Sequence, residues 1–225
     1  WEENNPSYDI ISPCGYYPGG RRELITQALQ AWARGIAKRA AQIFVRTPIT
    51  PNMLTLFGLV LNIAVAALLA TGHLVAGGVM IIVAGLFDML DGALAKITNR
   101  VSAFGAFLDS VVDRYSEAVV LLGLLLYYYQ QLSIQRLTEV VLIYAILFGS
   151  VMISYTRARA EGLDIKNEVG LMARPERIIL LAVGLLFNTV LLIPVLWVLA
   201  VGTQITAIQR IVHVWLVTTG KKESK

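Results

Sequence analysis

The sequence predicts an all-α integral membrane protein: six transmembrane helices preceded by an amphipathic helix lying on the membrane surface. Three observations predict it. Of the 225 residues, 56% are hydrophobic and 15% charged, where a soluble domain sits nearer ~45–50% and ~25%. Apolar runs of about 20 residues, the length that crosses a hydrocarbon core of ~30 Å, recur along the chain. Lysines and arginines are alternately dense and sparse in the segments between those runs.

The chain opens with WEENNPSYDIISPCGYYPGG (1–20), polar and without periodicity, read as a loosely packed arm. It has neither the basic start nor the apolar centre of a signal peptide. In residues 21–46, Leu24, Ile25, Leu29, Trp32, Ile36, Ile43 and Phe44 recur at helical spacing among Arg21, Arg22, Arg34, Lys38 and Arg39. That pattern predicts an interfacial helix with its basic side toward the headgroups. TPITPN (47–52) breaks it, and Pro51 can begin the next helix. Six spans are expected at about 53–70, 74–95, 102–128, 137–158, 177–194 and 195–216. Only Asn188 and Pro194 punctuate the last two. The membrane domain is therefore set at 47–220, with a basic tail at 221–225. No second soluble domain, repeat or low-complexity tract is evident.

Orientation follows from the basic residues near the spans. One side carries Arg21 to Arg46, Lys96 and Arg100, the group from Arg157 to Arg177, and Lys221, Lys222 and Lys225; the other offers His73 and Arg136. Both termini are expected in the cytoplasm of a cell-membrane protein. Cys14 is the single cysteine, so no intramolecular disulfide can form. The net charge of +4 suits anionic lipid or phosphate-bearing substrates; no nucleic-acid partner is predicted.

Four aspartates interrupt this apolar chain. Asp88 and Asp91 share one face of the second span, and Asp109 and Asp113 share one face of the third. Both pairs lie near the cytoplasmic loop that joins the two spans, so all four carboxylates can converge. Four negative charges in a low-dielectric site require cations to neutralise them. Oxygen ligands on rigid elements suit Mg²⁺ or Mn²⁺, and two such ions ~3.5–4 Å apart commonly serve phosphoryl transfer. Capping, or pairing with Arg100 or Arg114, is the blander account and would suffice for one aspartate.

A separate group of cations, in SYTRARAEGLDIKNEVGLMARPER (154–177), lies at the cytoplasmic mouth. Positive-inside charge explains Arg159 and Lys166. Arg157 ends an apolar span, Arg174 precedes Pro175 at a helix start, and Arg210 lies inside the sixth span, where an unpaired cation is costly. These three can converge on an anionic acceptor, most simply a phosphate monoester.

The string Asp88-x-x-Asp91-Gly92-x-x-Ala95-Lys96, eight residues, Gly105-x-x-x-Asp109-x-x-x-Asp113 resembles the signature of the CDP-alcohol phosphatidyltransferases. Lys96 stands where the family has arginine, exchanging a planar fork for one compact charge. The resemblance implies that all four aspartates ligate two metals and that Asp113 is also the general base on the acceptor hydroxyl. It further implies a nucleotide site formed by Pro51, Asn52, Met53 and Leu54, with Thr55 beside them, together with Gly92, Lys96 and Ser102. A homodimer and a CDP-diacylglycerol donor are implied in the same way. FGAFLDSVVDR, SYTRARAEG and RPER resemble the phosphatidylinositol-phosphate synthase branch and its archaeal relatives. The DP-x-x-DK variant more usual in phosphatidylglycerophosphate synthases is missing. The acceptor implied is inositol phosphate, with glycerol 3-phosphate, serine or free inositol as alternatives within the class. A divalent-cation or phosphate transporter is the alternative from another class. It would need polar residues beyond Asp88, where the span reads AGGVMIIVAGLF. A purely structural scaffold would leave the carboxylates unexplained.

Overall fold

A computed structural model describes residues 49–130 and 137–220. The expected surface helix at 21–46, the arm before it and the tail at 221–225 lie outside the described residues. Six helices and no strand are present among those described: α1 (Pro51–Ala70), α2 (Leu74–Ile97), α3 (Ala103–Gln130), α4 (Leu137–Glu161), α5 (Arg174–Leu186) and α6 (Asn188–Gly220).

Local chemistry sets the ends of these helices. Thr50 caps α1 by accepting a hydrogen bond from Met53 N at 3.3 Å, and Pro51 fills the first helical position. The turn between α1 and α2 passes through Gly72, whose φ of 86° suits glycine. Ser102 Oγ accepts from Gly105 N at 2.9 Å and so caps α3.

The final pair of helices divides differently from the expected break at Pro194. Phe187 ends α5, Asn188 begins α6, and Pro194 lies inside α6. Pro194 is past the first turn, so with no N–H it forfeits the bond to Val190 O, yet α6 continues through it. α5 is therefore only 13 residues long and α6 33.

Among the described residues, four helices are long and apolar enough to cross a membrane: α1, α2, α4 and most of α6. α3 is long but carries Asp109, Asp113, Arg114 and Glu117; α5 is short. Large apolar side chains such as Phe57, Val60, Leu122, Phe148 and Trp197 lie exposed on the outside of the bundle, as lipid contact requires.

α1 packs along α3 and against α2, α4 packs on α6, and α5 is held between α2 and α6. The core of Val65, Leu69, Leu121, Leu124, Tyr128, Ile146, Leu185 and Leu196 occupies the half of the bundle away from the aspartates. A Cβ built on Gly123 would stand 2.5 Å from Ala66 Cα. The bare glycine is what lets α1 and α3 touch backbone to backbone.

Candidate active site

The turn 98–102 reverses the chain so that the last turns of α2 and the first turns of α3 face each other. Carboxylate oxygens of Asp88, Asp91 and Asp109 come within 4.8 Å of one another. Asp91 is buried, and its Oδ2 accepts a 2.6 Å hydrogen bond from Thr55 Oγ1. That bond fixes the carboxylate against α1. Three carboxylates converging at this distance, on helices rather than loops, fit a divalent cation with hard oxygen ligands.

Asp113 lies one turn further along α3 and is held from the opposite side. Arg174 Nη1 stands 2.7 Å from Asp113 Oδ1 and 2.5 Å from Asp88 Oδ2. Arg174 is the first residue of α5. A cation there opposes the helix dipole, so the two carboxylates offset an otherwise unfavourable placement. Its Nε is buried and has no hydrogen-bond partner among the described residues.

The nucleotide-site candidates gather at the same end. Asn52 and Ser102 meet at Gly105, where an added Cβ would lie 3.0 Å from Ser102 Oγ and 3.3 Å from Asn52 Oδ1. Pro51 begins α1 beside them. Met53 is exposed, whereas Leu54 is buried against Leu94 and ties α1 to α2. A Cβ at Gly92 would meet no atom within 4 Å, so this glycine leaves room beside the aspartates. Lys96 is exposed in the last turn of α2.

Arg157, Arg174 and Arg210 come from three helices, and all line one cavity of about 800 Å³ that also reaches Asp109 and Asp113. Their partners differ from the expectation that these cations stand unpaired beside metal-bound aspartates. Arg174 binds Asp88 and Asp113, as described. Arg210 is buried, with Nε donating to Val169 O at 3.0 Å and Nη1 to Ile153 O at 2.7 Å. Arg157 is exposed and pairs with Glu161 at 2.8 Å and Glu168 at 3.3 Å. Backbone carbonyls at the end of α4 and in the following loop can satisfy a guanidinium without any anion, which composition alone does not reveal.

Two residues not singled out from the sequence also line this cavity: Glu117 and Arg177. Arg177 Nε and Nη2 grip the two Glu117 oxygens at 2.7 and 2.8 Å. A usable signal was present, since Glu117 continues the four-residue stripe of Asp109 and Asp113.

A sequence model of the family described as CDP-alcohol phosphatidyltransferase matches residues 48–219. The chain belongs to that family. It is a CDP-alcohol phosphatidyltransferase, and its membrane helices and acidic cluster are those of a phospholipid-synthesising transferase. A phosphatidylinositol phosphate synthase of Mycobacteroides abscessus is 34% identical over 181 residues, covering 78% of this chain and 81% of that protein. An archaetidylinositol phosphate synthase of Methanothermobacter thermautotrophicus is 34% identical over 174 residues, covering 76% and 85%. The crystal structure of the Mycobacterium tuberculosis phosphatidylinositol phosphate synthase with CDP-DAG bound superimposes with a TM-score of 0.73 at 34% identity, covering 80% of this chain and 94% of that one. The same enzyme in complex with manganese and citrate gives 0.73 at 35% identity, covering 80% and 88%. Divalent-metal use by this phosphatidyltransferase agrees with the manganese in that relative and with the convergence of Asp88, Asp91 and Asp109.

Proposed function

We propose that this phosphatidyltransferase transfers the phosphatidyl group of CDP-diacylglycerol to a hydroxyl of inositol phosphate, giving phosphatidylinositol phosphate and CMP. The observation that carries the reading is the shared cavity: Arg157, Arg174 and Arg210 line the space that also reaches Asp109 and Asp113. A phosphorylated polyol is thereby offered cations for its phosphate and a carboxylate for its hydroxyl. The relatives named as phosphatidylinositol phosphate synthase and archaetidylinositol phosphate synthase support the same acceptor.

In this reading the acceptor hydroxyl oxygen attacks the phosphorus that carries diacylglycerol. A new P–O bond forms, the bond from that phosphorus to the bridging pyrophosphate oxygen breaks, and CMP departs. Asp113 takes the hydroxyl proton, a role its place on the cavity wall suits. Arg174, adjoining both Asp88 and Asp113, orients the incoming phosphate relative to that base. Asn52 and Ser102 hold the nucleotide end with Pro51, Met53, Leu54 and Lys96, and Gly92 admits it. Two Mg²⁺ ions, or Mn²⁺, held by Asp88, Asp91, Asp109 and Asp113, would supply charge neutralisation to the pyrophosphate.

α3 and α5 complete the six membrane helices, α3 with its carboxylates turned inward and α5, 13 residues long, reaching only part of the way across the ~30 Å core. The site opens to the cytoplasm, both termini lie on that side, and the working form is a homodimer. Release of radiolabelled CMP from CDP-diacylglycerol, measured against inositol phosphate, free inositol, glycerol 3-phosphate and serine, tests the acceptor. Release with inositol phosphate alone is expected; turnover with glycerol 3-phosphate or an unphosphorylated alcohol in its place overturns the assignment.

A further inference from the structure

The Glu117–Arg177 pair has no part in the chemistry above, yet it is the most completely satisfied ion pair in the described residues. Arg177 is 5% exposed. Besides its two bonds to Glu117 it donates from Nη1 to Met172 O at 2.9 Å. Ser150 Oγ on α4 adds a 2.9 Å hydrogen bond to Glu117 Oε1. One carboxylate on α3 thus gathers α4, the start of α5 and the end of the loop that precedes it.

Its position in the two helices gives the arrangement a purpose. Glu117 is four residues beyond Asp113, and Arg177 is three beyond Arg174, so both pairs form successive rungs between the same two helices. α5 packs on α2 and α6 and makes little backbone contact with α3. Beyond these rungs α5 shares the apolar core with α3 through Leu181 and Leu185, so at the end nearest the aspartates the two ion pairs are the direct ties between the helices. The inner rung also separates two spaces. Glu117, Arg174 and Arg177 border the large cavity and also a small one of about 50 Å³, which runs beneath Asp88 among apolar residues of the core.

We infer that Glu117 and Arg177 are positioning residues for the acceptor half of the site: their bidentate pair fixes the start of α5 and so aims Arg174 at the acceptor. A fork gripping two carboxylate oxygens fixes direction as well as distance, which a single contact does not. Neither residue is bonded to the CDP-lipid side, where Thr55 and Asp91 join α1 to α2 and Asn52 and Ser102 meet at Gly105 in the first turn of α3, about three turns from Glu117. The inference rests on the reading that the large cavity receives the acceptor.

Steady-state kinetics of Glu117→Gln and Arg177→Lys in the full chain test it, with each substrate varied in turn. The acceptor used is whichever member of the panel releases CMP with the parent protein. A surprise in acceptor identity then sinks the substrate assignment and leaves this test running. Glu117→Gln keeps the shape and removes the charge; Arg177→Lys keeps the charge and removes the fork. Each is expected to raise the KM for the acceptor by a factor on the order of 10 to 10², while the KM for CDP-diacylglycerol stays within about twofold. Arg177→Lys decides the matter alone if Glu117→Gln does not accumulate as folded protein. An unchanged acceptor KM, or two KM values that rise together by the same factor, overturns the inference and leaves the pair a simple brace.

Discussion

Thr55 on α1 and Asp91 on α2 are joined by a 2.6 Å hydrogen bond, from the Thr55 hydroxyl to Asp91 Oδ2. The same hydroxyl lies 3.1 Å from Pro51 O, so its proton has two acceptors within reach and the carboxylate is the nearer. A carboxylate held by a neighbour's hydroxyl presents its remaining lone pairs in a fixed direction. Thr55→Val keeps the shape and removes the bond. Loss of such a supporting partner commonly costs about 10–100-fold in metal affinity or activity. A titration of CMP release against Mn²⁺ should therefore shift to higher metal concentration, with the folded yield unchanged.

Removal of divalent ions is the broader test of the same cluster. Chelator should abolish CMP release, and either Mg²⁺ or Mn²⁺ should restore it. Activity that survives thorough chelation would contradict the role given to Asp88, Asp91 and Asp109.

Asp113 stands apart from that trio, facing the cavity and Arg174. Asp113→Asn should retain CDP-lipid binding while turnover drops by a factor on the order of 10²–10⁴. A variant that turns over near the parent rate would remove Asp113 from the base role.

Arg174 and Arg210 should separate in their behaviour although both line the acceptor cavity. Either change to Ala should raise the acceptor KM far more than that for CDP-diacylglycerol. Arg210→Ala should in addition lower thermal stability, because Val169 O loses its Arg210 donor, whereas Ile153 O still accepts from Thr156 Oγ1. A buried polar group left unsatisfied costs roughly 1–3 kcal/mol. Thermal unfolding in detergent, run beside the kinetics, distinguishes the two.

Glycines offer a contrast that needs no substrate. Gly123→Val should destabilise strongly, since even a first carbon would lie 2.5 Å from Ala66 Cα; overpacking a tight interface typically costs about 1–3 kcal/mol. Gly92→Ala meets nothing within 4 Å and should unfold at the parent temperature. Any loss of CDP-lipid affinity in that variant then reports on the site rather than on the fold.

The aspartate cluster was legible in the sequence because carboxylates in apolar helices have so few alternatives, and because spacings of three and four residues place them on one face. The convergence of Asp88, Asp91 and Asp109 follows from that spacing and a short turn. Other features depended on information that spacing does not carry. The break between α5 and α6 is expected at Pro194, yet α6 runs through that proline at the cost of one backbone bond, and Asn188 marks its start. In the sequence Arg177 is one more cytoplasmic charge, and Glu117 is not singled out. The stripe of Asp109, Asp113 and Glu117 places Glu117 on the site's face, but its pairing with Arg177 depends on how α5 stands against α3, which spacing does not carry. Arg210 was legible as a costly cation, but its partners are backbone carbonyls, which every residue possesses.

The close approach of Gly123 to Ala66 makes α1 and α3 a single stiff wall, continuous from the core to the meeting of Asn52, Ser102 and Gly105. The opposite wall, carrying Arg174, rests on the core at Leu181 and Leu185 but meets α3 at the site through ion pairs. Mild heat or harsh detergent should therefore dismantle the molecule unevenly. The donor side would keep its shape while the acceptor side loosened, leaving a protein that captures CDP-lipid and seldom releases CMP. Preparations that bind well and turn over poorly would be the practical sign of that asymmetry, and ligands for the arginine side would be the additives to screen for rescuing them.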